Sequence, residues 1–230
     1  MSGFLSVASA SDLVRIIAVI LFSIVLALVR VCIKKNKKLL NILSLLMVVC
    51  LLLFGIVLLN VPFENLVITH FSAQSALNYT RDGEIKGYVD GNNSTLVLHS
   101  RYDIFKKNLG VIYYDYNILP RTAKGWKIAM PKNPPSSIEK KHGEYKITIA
   151  KREKIEDVYI MIFHYLAVES EIAISDNMGS LFNVFIEPNG FTKGSVWLYA
   201  YIESIDENYE VIIDGETIKF DGLSEWLASH

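Results

Sequence analysis

The sequence predicts a membrane-anchored chain in two parts: an N-terminal two-helix transmembrane hairpin, then a mainly antiparallel β domain, a sandwich or curved sheet, led by one short helix. Three observations carry that reading. Ile16 to Ile33 and Leu39 to Leu59 are almost wholly apolar and are separated by Lys34, Lys35, Asn36, Lys37 and Lys38. Past Pro62 the continuous apolar pattern gives way to short alternating runs. Turn residues punctuate those runs every ~8 to 12 positions, the spacing of an antiparallel sandwich rather than of alternating strands and helices.

Each apolar run matches the ~20 residues that a helix rising ~1.5 Å per residue needs to cross ~30 Å of hydrocarbon. Spans at about 13–33 and 39–60 are expected, within a unit of residues 1–61. Residues 62–230 follow as one domain of 169 positions, enough for a single core. The chain is 51% hydrophobic with a mean hydropathy of +0.30, and the excess lies before Pro62. A cleaved signal peptide would carry its cations ahead of a shorter apolar stretch, and here they follow a helix-length one. A helix pair buried in a soluble core would need an unusually large shell around it.

Lys34, Lys35, Lys37 and Lys38, with Arg30, crowd the connection, whereas residues 1–12 and 62–80 carry no Lys or Arg. These lysines determine the expected topology. The positive-inside rule puts the connection in the cytoplasm and residues 62–230 outside, on a multi-pass protein of the cell membrane. Arg15, at the outer edge of the first run, runs against that bias and is expected to snorkel to the interface. With no intramembrane acid, the hairpin reads as an anchor rather than a transport pathway. Cys32 and Cys50 both lie in the hairpin, at depths about 15 Å apart on antiparallel helices, too far to bridge. A cysteine-free external domain of this size fits a bacterial, Gram-positive-like surface. The glycosylation patterns at Asn78, Asn92 and Asn93 read as products of Asn-rich turns.

In the domain, Ser72 is a good N-cap for a short helix reaching Tyr79. Ile85 to Val89 and Thr95 to Leu98 flank Asp90-Gly91-Asn92-Asn93, a hairpin turn. Further strands are expected at Gly110 to Ile118, Trp126 to Met130, Tyr145 to Ala150, Val158 to Leu166, Glu171 to Ser175, Leu181 to Ile186 and Val196 to Ile202. Tyr209 to Ile213 and Thr217 to Phe220 close the series as a hairpin around Asp214-Gly215, residues that tolerate positive φ. Lys132 to Ser137 contains consecutive prolines, which exclude helix and central strand, so a loop or sub-domain joint is expected there.

Of 23 Lys and Arg, six lie in the hairpin, leaving 17; of 24 Asp and Glu only Asp12 precedes Pro62, leaving 23, so residues 62–230 carry a net −6. That balance disfavours nucleic acid and anionic headgroups as partners and otherwise serves solubility. No glycine-rich phosphate loop or dinucleotide fingerprint occurs, so neither a nucleotide nor a cofactor is expected. Histidines at 70, 99, 142, 164 and 230 show no metal-ligand spacing, and no metal is expected. His99 and Ser100 are strand neighbours that point to opposite faces, and no nucleophile elbow surrounds any serine. Asp176 to Ser180 lacks the spaced acids of an EF-hand and reads as a turn. His164 falls on the face of Val158, Ile160 and Ile162, where a hydrogen-bonded core histidine is the default.

Trp197, Tyr199 and Tyr201 project from one face of a strand, with Val196, Leu198, Ala200 and Ile202 on the other; Tyr113, Tyr114 and Tyr116 form a second cluster. If only the aliphatic side is buried, the aromatic three make a ligand-binding surface for a peptide or glycan. If both sides are buried, the strand is simply central.

The run Phe71-Ser-x-x-x-Ala76-x-x-Tyr79, then Ile85-x-x-Tyr-Val-Asp90-Gly91-x-Asn93-Ser94-x-Leu96-Val97, then Gly125-Trp126-Lys127, resembles uncharacterised membrane-anchored proteins of Gram-positive bacteria. The resemblance covers about a third of residues 62–230 and implies a small helix leading into a β-rich extracytoplasmic domain. It implies no activity and no site. The expectation is a non-enzymatic binding or sensing protein of the bacterial envelope, of the stress-sensing or bacteriocin-immunity type, with no catalytic residues. Its expected partners, besides the lipid bilayer, are an envelope component, a secreted peptide or a membrane-protein partner. Two other classes stand beside it: an envelope hydrolase with an unrecognised site, and an accessory subunit of a membrane complex, for which Ser23, Ser44 and Gly55 supply small residues in the spans.

Overall fold

The computed structural model describes residues 10–32, 37–60, 63–80, 83–102, 112–129, 134–166, 172–189 and 193–229. Two apolar helices, α1 (Ala10–Cys32) and α2 (Lys37–Asn60), lie against each other, with the Phe22 and Phe54 rings 4.5 Å apart. Their outer faces are bare, with Leu21, Leu28, Leu45 and Leu52 exposed, a surface that water does not favour. Among the described residues α1 is the one helix long and apolar enough to cross a bilayer, over Ala10–Val31; the apolar stretch of α2 is the shorter Ser44–Val57. Lys34 and Lys35 lie outside the described residues, and Lys37 and Lys38 open α2.

A 3-10 turn at Phe63–Leu66 leads into α3 (Ala73–Thr80), whose first turn is capped as expected: the Ser75 amide donates to Ser72 Oγ at 3.1 Å. Twelve strands are described, in chain order β1 (Glu84–Asp90), β2 (Ser94–Tyr102), β3 (Ile112–Thr122), β4 (Gly125–Trp126), β5 (Ser136–His142), β6 (Tyr145–Lys151), β7 (Val158–Leu166), β8 (Ile174–Asp176), β9 (Asn183–Asn189), β10 (Lys193–Ile202), β11 (Glu210–Ile213) and β12 (Glu216–Lys219). Helix α4 (Leu223–Ser229) follows. The strands make a first sheet β1-β2-β3-β4, a middle sheet β5-β6-β7-β10-β9 and a third sheet β12-β11-β8, and the pairings are antiparallel.

The middle sheet is apolar on both faces, which is why the antiparallel β domain has three sheets in layers rather than two. One face, carrying Ile147, Ile149, Ile160, Ile162, Leu198 and Ala200, packs on Val211, Ile213 and Ile218 of the third sheet and on Trp226 of α4. The opposite face, with Ala150, Tyr159, Met161 and Tyr199, packs on Leu96 and Ile118 of the first sheet. The outer face of the first sheet, Val97 and Leu119, is covered by Ala76 and Leu77 of α3.

Two elements lie outside the expected series. Strand β5 reads Ser-Ser-Ile-Glu-Lys-Lys-His, an edge strand that alternates half-buried and exposed residues and needs charge to stay unpaired on its outer side. Helix α4 spans barely two turns, with Leu223, Trp226 and Leu227 at i, i+3 and i+4 facing the core. Ser136 and Ser137, expected in a loop, open β5, and Pro134-Pro135 sit where the chain passes from the first sheet to the middle one. The expected strand from Trp126 ends at that residue, because Lys127 and Ile128 are recruited by the segment that follows α2.

Candidate functional site

The face parity expected for β10 holds, and both faces are covered. Tyr201 accepts a hydrogen bond from Asn92 Nδ2 at 2.9 Å and its ring lies 5.7 Å from that of Tyr159. Tyr199 is 6% exposed. A β-bulge between Ile85 and Gly87 lets β1 settle onto it, and a Cβ at Gly87 would overlap the Tyr199 hydroxyl. Burial pushes the Tyr199 pKa up, with a hydrogen bond from the Tyr88 backbone amide acting the other way. Trp197 is half-buried, its ring 4.6 Å from Phe163, opposite Phe185, and its Nε1 is buried without a partner. The second cluster joins the first here, since Tyr114 lies 5.6 Å from Phe185; Tyr113 falls outside the described side chains. Tyr199 and Tyr201 therefore pack between the first and middle sheets, while Trp197 stays half-buried against Phe163 of its own sheet.

What remains open beside them is a cleft of about 590 Å³, formed by β1 residues Ile85 to Asp90 with Asn183 at the start of β9 and Tyr199 at its inner wall. Both β1 and β9 are sheet edges. Tyr88 stands 60% exposed on its rim, and a Lys86–Glu84 ion pair of 2.7 Å lies at one end. Edge strands, an apolar wall and a few polar side chains suit an extended chain better than a compact metabolite. The turn at one end of β1 is fixed by buried Asp157, whose carboxylate accepts the Asn92 and Asn93 amides at 3.2 and 2.7 Å and the Ser94 hydroxyl at 2.7 Å. Tyr159 in turn donates to Ser94 Oγ at 2.8 Å. The turn at that end of β1 is thus tied to the middle sheet.

A second polar assembly joins the β domain to α1. Glu64, 1% exposed, accepts from Arg15 Nε at 2.9 Å and from the Ser11 hydroxyl at 3.1 Å. Arg15 does not snorkel free; its charge is answered inside the protein. Lys127 Nζ donates to the carbonyls of Asn65 and Ile68 at 2.7 and 2.8 Å and to Thr69 Oγ1 at 2.6 Å. Asn65 forms a two-bond clasp with the Ile128 backbone, both bonds 2.9 Å. His70 bridges Trp126 through paired backbone bonds of 2.8 and 2.9 Å, and a Cβ at Gly125, whose φ is +129°, would overlap the His70 carbonyl oxygen. The Gly125-Trp126-Lys127 tripeptide therefore grips the chain where it leaves α2.

His70 and Tyr79 sit in this junction with rings 5.2 Å apart. His70 Nδ1 shares a hydrogen bond of 3.2 Å with Ser75 Oγ, while His70 Nε2 and the Tyr79 hydroxyl are buried without partners. Burial, and then the Lys127 ammonium, lower the His70 pKa; burial, and then Glu64, raise that of Tyr79. Sequence reasoning missed Glu64, and a signal existed. It is the first acid after Asp12, placed just past the second apolar run, with Arg15 alone at the matching end of the first.

Elsewhere the polar groups hold the fold. Asp176 accepts the Met178 and Ser180 amides and the Tyr209 hydroxyl at 3.1, 2.8 and 2.8 Å, so the Asp176 to Ser180 turn uses its carboxylate internally. His164 stacks on Tyr145 at 4.1 Å with Nε2 3.3 Å from Glu144. Among the described residues no group of three His, Cys, Asp or Glu side chains converges as metal ligands do. No family model matches this chain, and no curated protein or solved structure matches it either.

Proposed function

We propose that this chain is a non-enzymatic binding or sensing protein of the bacterial envelope. Two spans, α1 and α2, anchor it, and residues 62–230 lie outside the cytoplasmic membrane. The cleft between β1 and β9 is its ligand surface, and an extended secreted peptide or envelope polymer is its ligand class. The observation that carries this reading is the buried Arg15–Glu64 pair. A domain that merely needs display is served by a flexible tether, whereas a desolvated ion pair between spanning helix and domain costs free energy and fixes their relative placement. That arrangement suits a protein in which events at the β domain bear on the membrane helices. The aromatic contact role of Trp197, Tyr199 and Tyr201 narrows to Tyr199, which lines the cleft wall.

Two experiments test the proposal. An engineered cysteine at Glu144, which is exposed, should react with a membrane-impermeant maleimide in intact protoplasts; protection would place the domain inside. A photo-crosslinking residue at Tyr88 should give a discrete adduct in growing cells that the same residue at Lys154, which is exposed and does not line the cleft, does not. Equal labelling at both positions would remove the cleft as the ligand surface.

A further inference from the structure

The segment between α2 and α3 carries three bare apolar side chains: Leu66 is 86% exposed, Val67 83% and Phe71 95%. An exposed Leu is ordinary when single, but three within six positions of one short segment form a patch that calls for a partner. The patch is held outward by construction. Glu64, two residues before Leu66, points inward to Arg15, and its carbonyl accepts the Val67 and Ile68 amides at 3.0 and 2.7 Å. Asn65 is clasped by Ile128, and Lys127 binds the Asn65 and Ile68 carbonyls. The backbone of this segment cannot turn over to bury Leu66 and Val67 without breaking those bonds.

The same bonds set the height of the patch. Glu64 touches Ser11 and Arg15, in the first turns of a helix that begins at Ala10, and α2 ends at Asn60, four residues before Glu64. Leu66 and Val67, two and three residues past Glu64, thus lie near the ends of both apolar helices, with Phe71 further along the same segment. Residues 62–80 include no Lys or Arg, so attraction to anionic headgroups is not what this stretch offers. Its chemistry is apolar and its neighbour is the helices' own surroundings.

We infer that Leu66, Val67 and Phe71 insert into the acyl–headgroup boundary of the outer leaflet, a third membrane contact that seats the β domain on the bilayer. This rests on the reading of α1 as a membrane span. Insertion at three points beside the spans, together with the Arg15–Glu64 pair, would fix the tilt of the domain as well as its position.

The test uses the full chain in nanodiscs of neutral phosphatidylcholine, with Cys32 and Cys50 replaced by Ala and one nitroxide at a time on L66C, V67C, F71C, L21C or L181C. Leu181 is 88% exposed on the β domain and serves as the aqueous reference; Leu21, exposed midway along α1, serves as the lipid reference. Oxygen partitions into lipid and a nickel chelate stays in water, so the ratio of their collision rates reports depth. The ratio at positions 66, 67 and 71 should rise above that at 181 and stay below that at 21. Ratios equal to that at 181, with 21 in lipid, would overturn the insertion alone. A drop in both collision rates at the three positions would mean cover by protein and would also overturn it. An aqueous value at 21 would overturn the membrane reading itself.

Discussion

The two ends of the layered β domain are held by opposite chemistry. At the α3 end, the attachment to the apolar helices is made by charge and hydrogen bonds: Arg15–Glu64, the Lys127 ammonium on the Asn65 and Ile68 carbonyls, and the Asn65–Ile128 clasp. At the α4 end, the third sheet and α4 pack mainly through an apolar layer, Val211, Ile213, Ile218, Phe220, Leu223 and Trp226, with hydrogen bonds such as Trp226 to Ser136 and Tyr145 to Asp214 at its margin. Apolar contact is non-directional and tolerates small slips, whereas a buried ion pair has one geometry and penalises any other. The end that must keep its orientation is the polar one.

Removing one partner of the buried pair should therefore have the largest effect. Glu64→Ala leaves Arg15 desolvated and unanswered, and about 3–5 kcal/mol of stability should be lost, read by denaturant unfolding of the full chain in nanodiscs. Replacing Arg15 and Glu64 together by Met should recover most of that loss while leaving the domain orientation loose. At the other end, Ile160→Ala should cost about 2–5 kcal/mol by the same readout, since it opens a cavity in a fully buried layer. Unlike Glu64→Ala, it should leave the geometry between helices and domain unchanged. Gly87→Val forces a side chain against Tyr199, and overpacking of this kind should cost about 1–3 kcal/mol and spread the cleft wall.

The comparison also divides the two ends by pH. Because burial and Lys127 hold the His70 pKa below 6.5, the unfolded chain takes up a proton near pH 6.5 that the folded chain refuses. Stability from this residue is complete above pH 6.5 and falls as the pH is lowered below it. Unfolding midpoints measured from pH 7.5 to 5.5 should decline, and His70→Gln should flatten that decline. Ile160→Ala should leave the slope as it is.

Several elements were legible in the sequence because their signals are local. Val158 to Leu166 and Val196 to Ile202 are strands for reasons contained in their own residues, and the Asp214-Gly215 turn is marked by residues that accept positive φ, here 51° and 85°. Face parity along β10 was legible for the same reason. Whether Trp197, Tyr199 and Tyr201 meet solvent was not, because periodicity assigns a face and says nothing of what covers it. The polar junction was hidden for a related reason. Lys127 and Asn65 lie 62 positions apart, and Arg15 and Glu64 lie 49 apart, so each looked like a solitary polar residue. Strand β5 was hidden by its composition, with Ile138 its one apolar residue.

The β domain is fixed to α1 through Glu64. Nitroxides on L28C in α1 and K124C in the β3–β4 turn, with Cys32 and Cys50 replaced by Ala, give a pulsed electron resonance distance across that junction in nanodiscs. A single narrow distribution is expected in the otherwise native chain, with clear broadening on Glu64→Gln. A broad distribution from the start, or one that Glu64→Gln leaves unchanged, would contradict it.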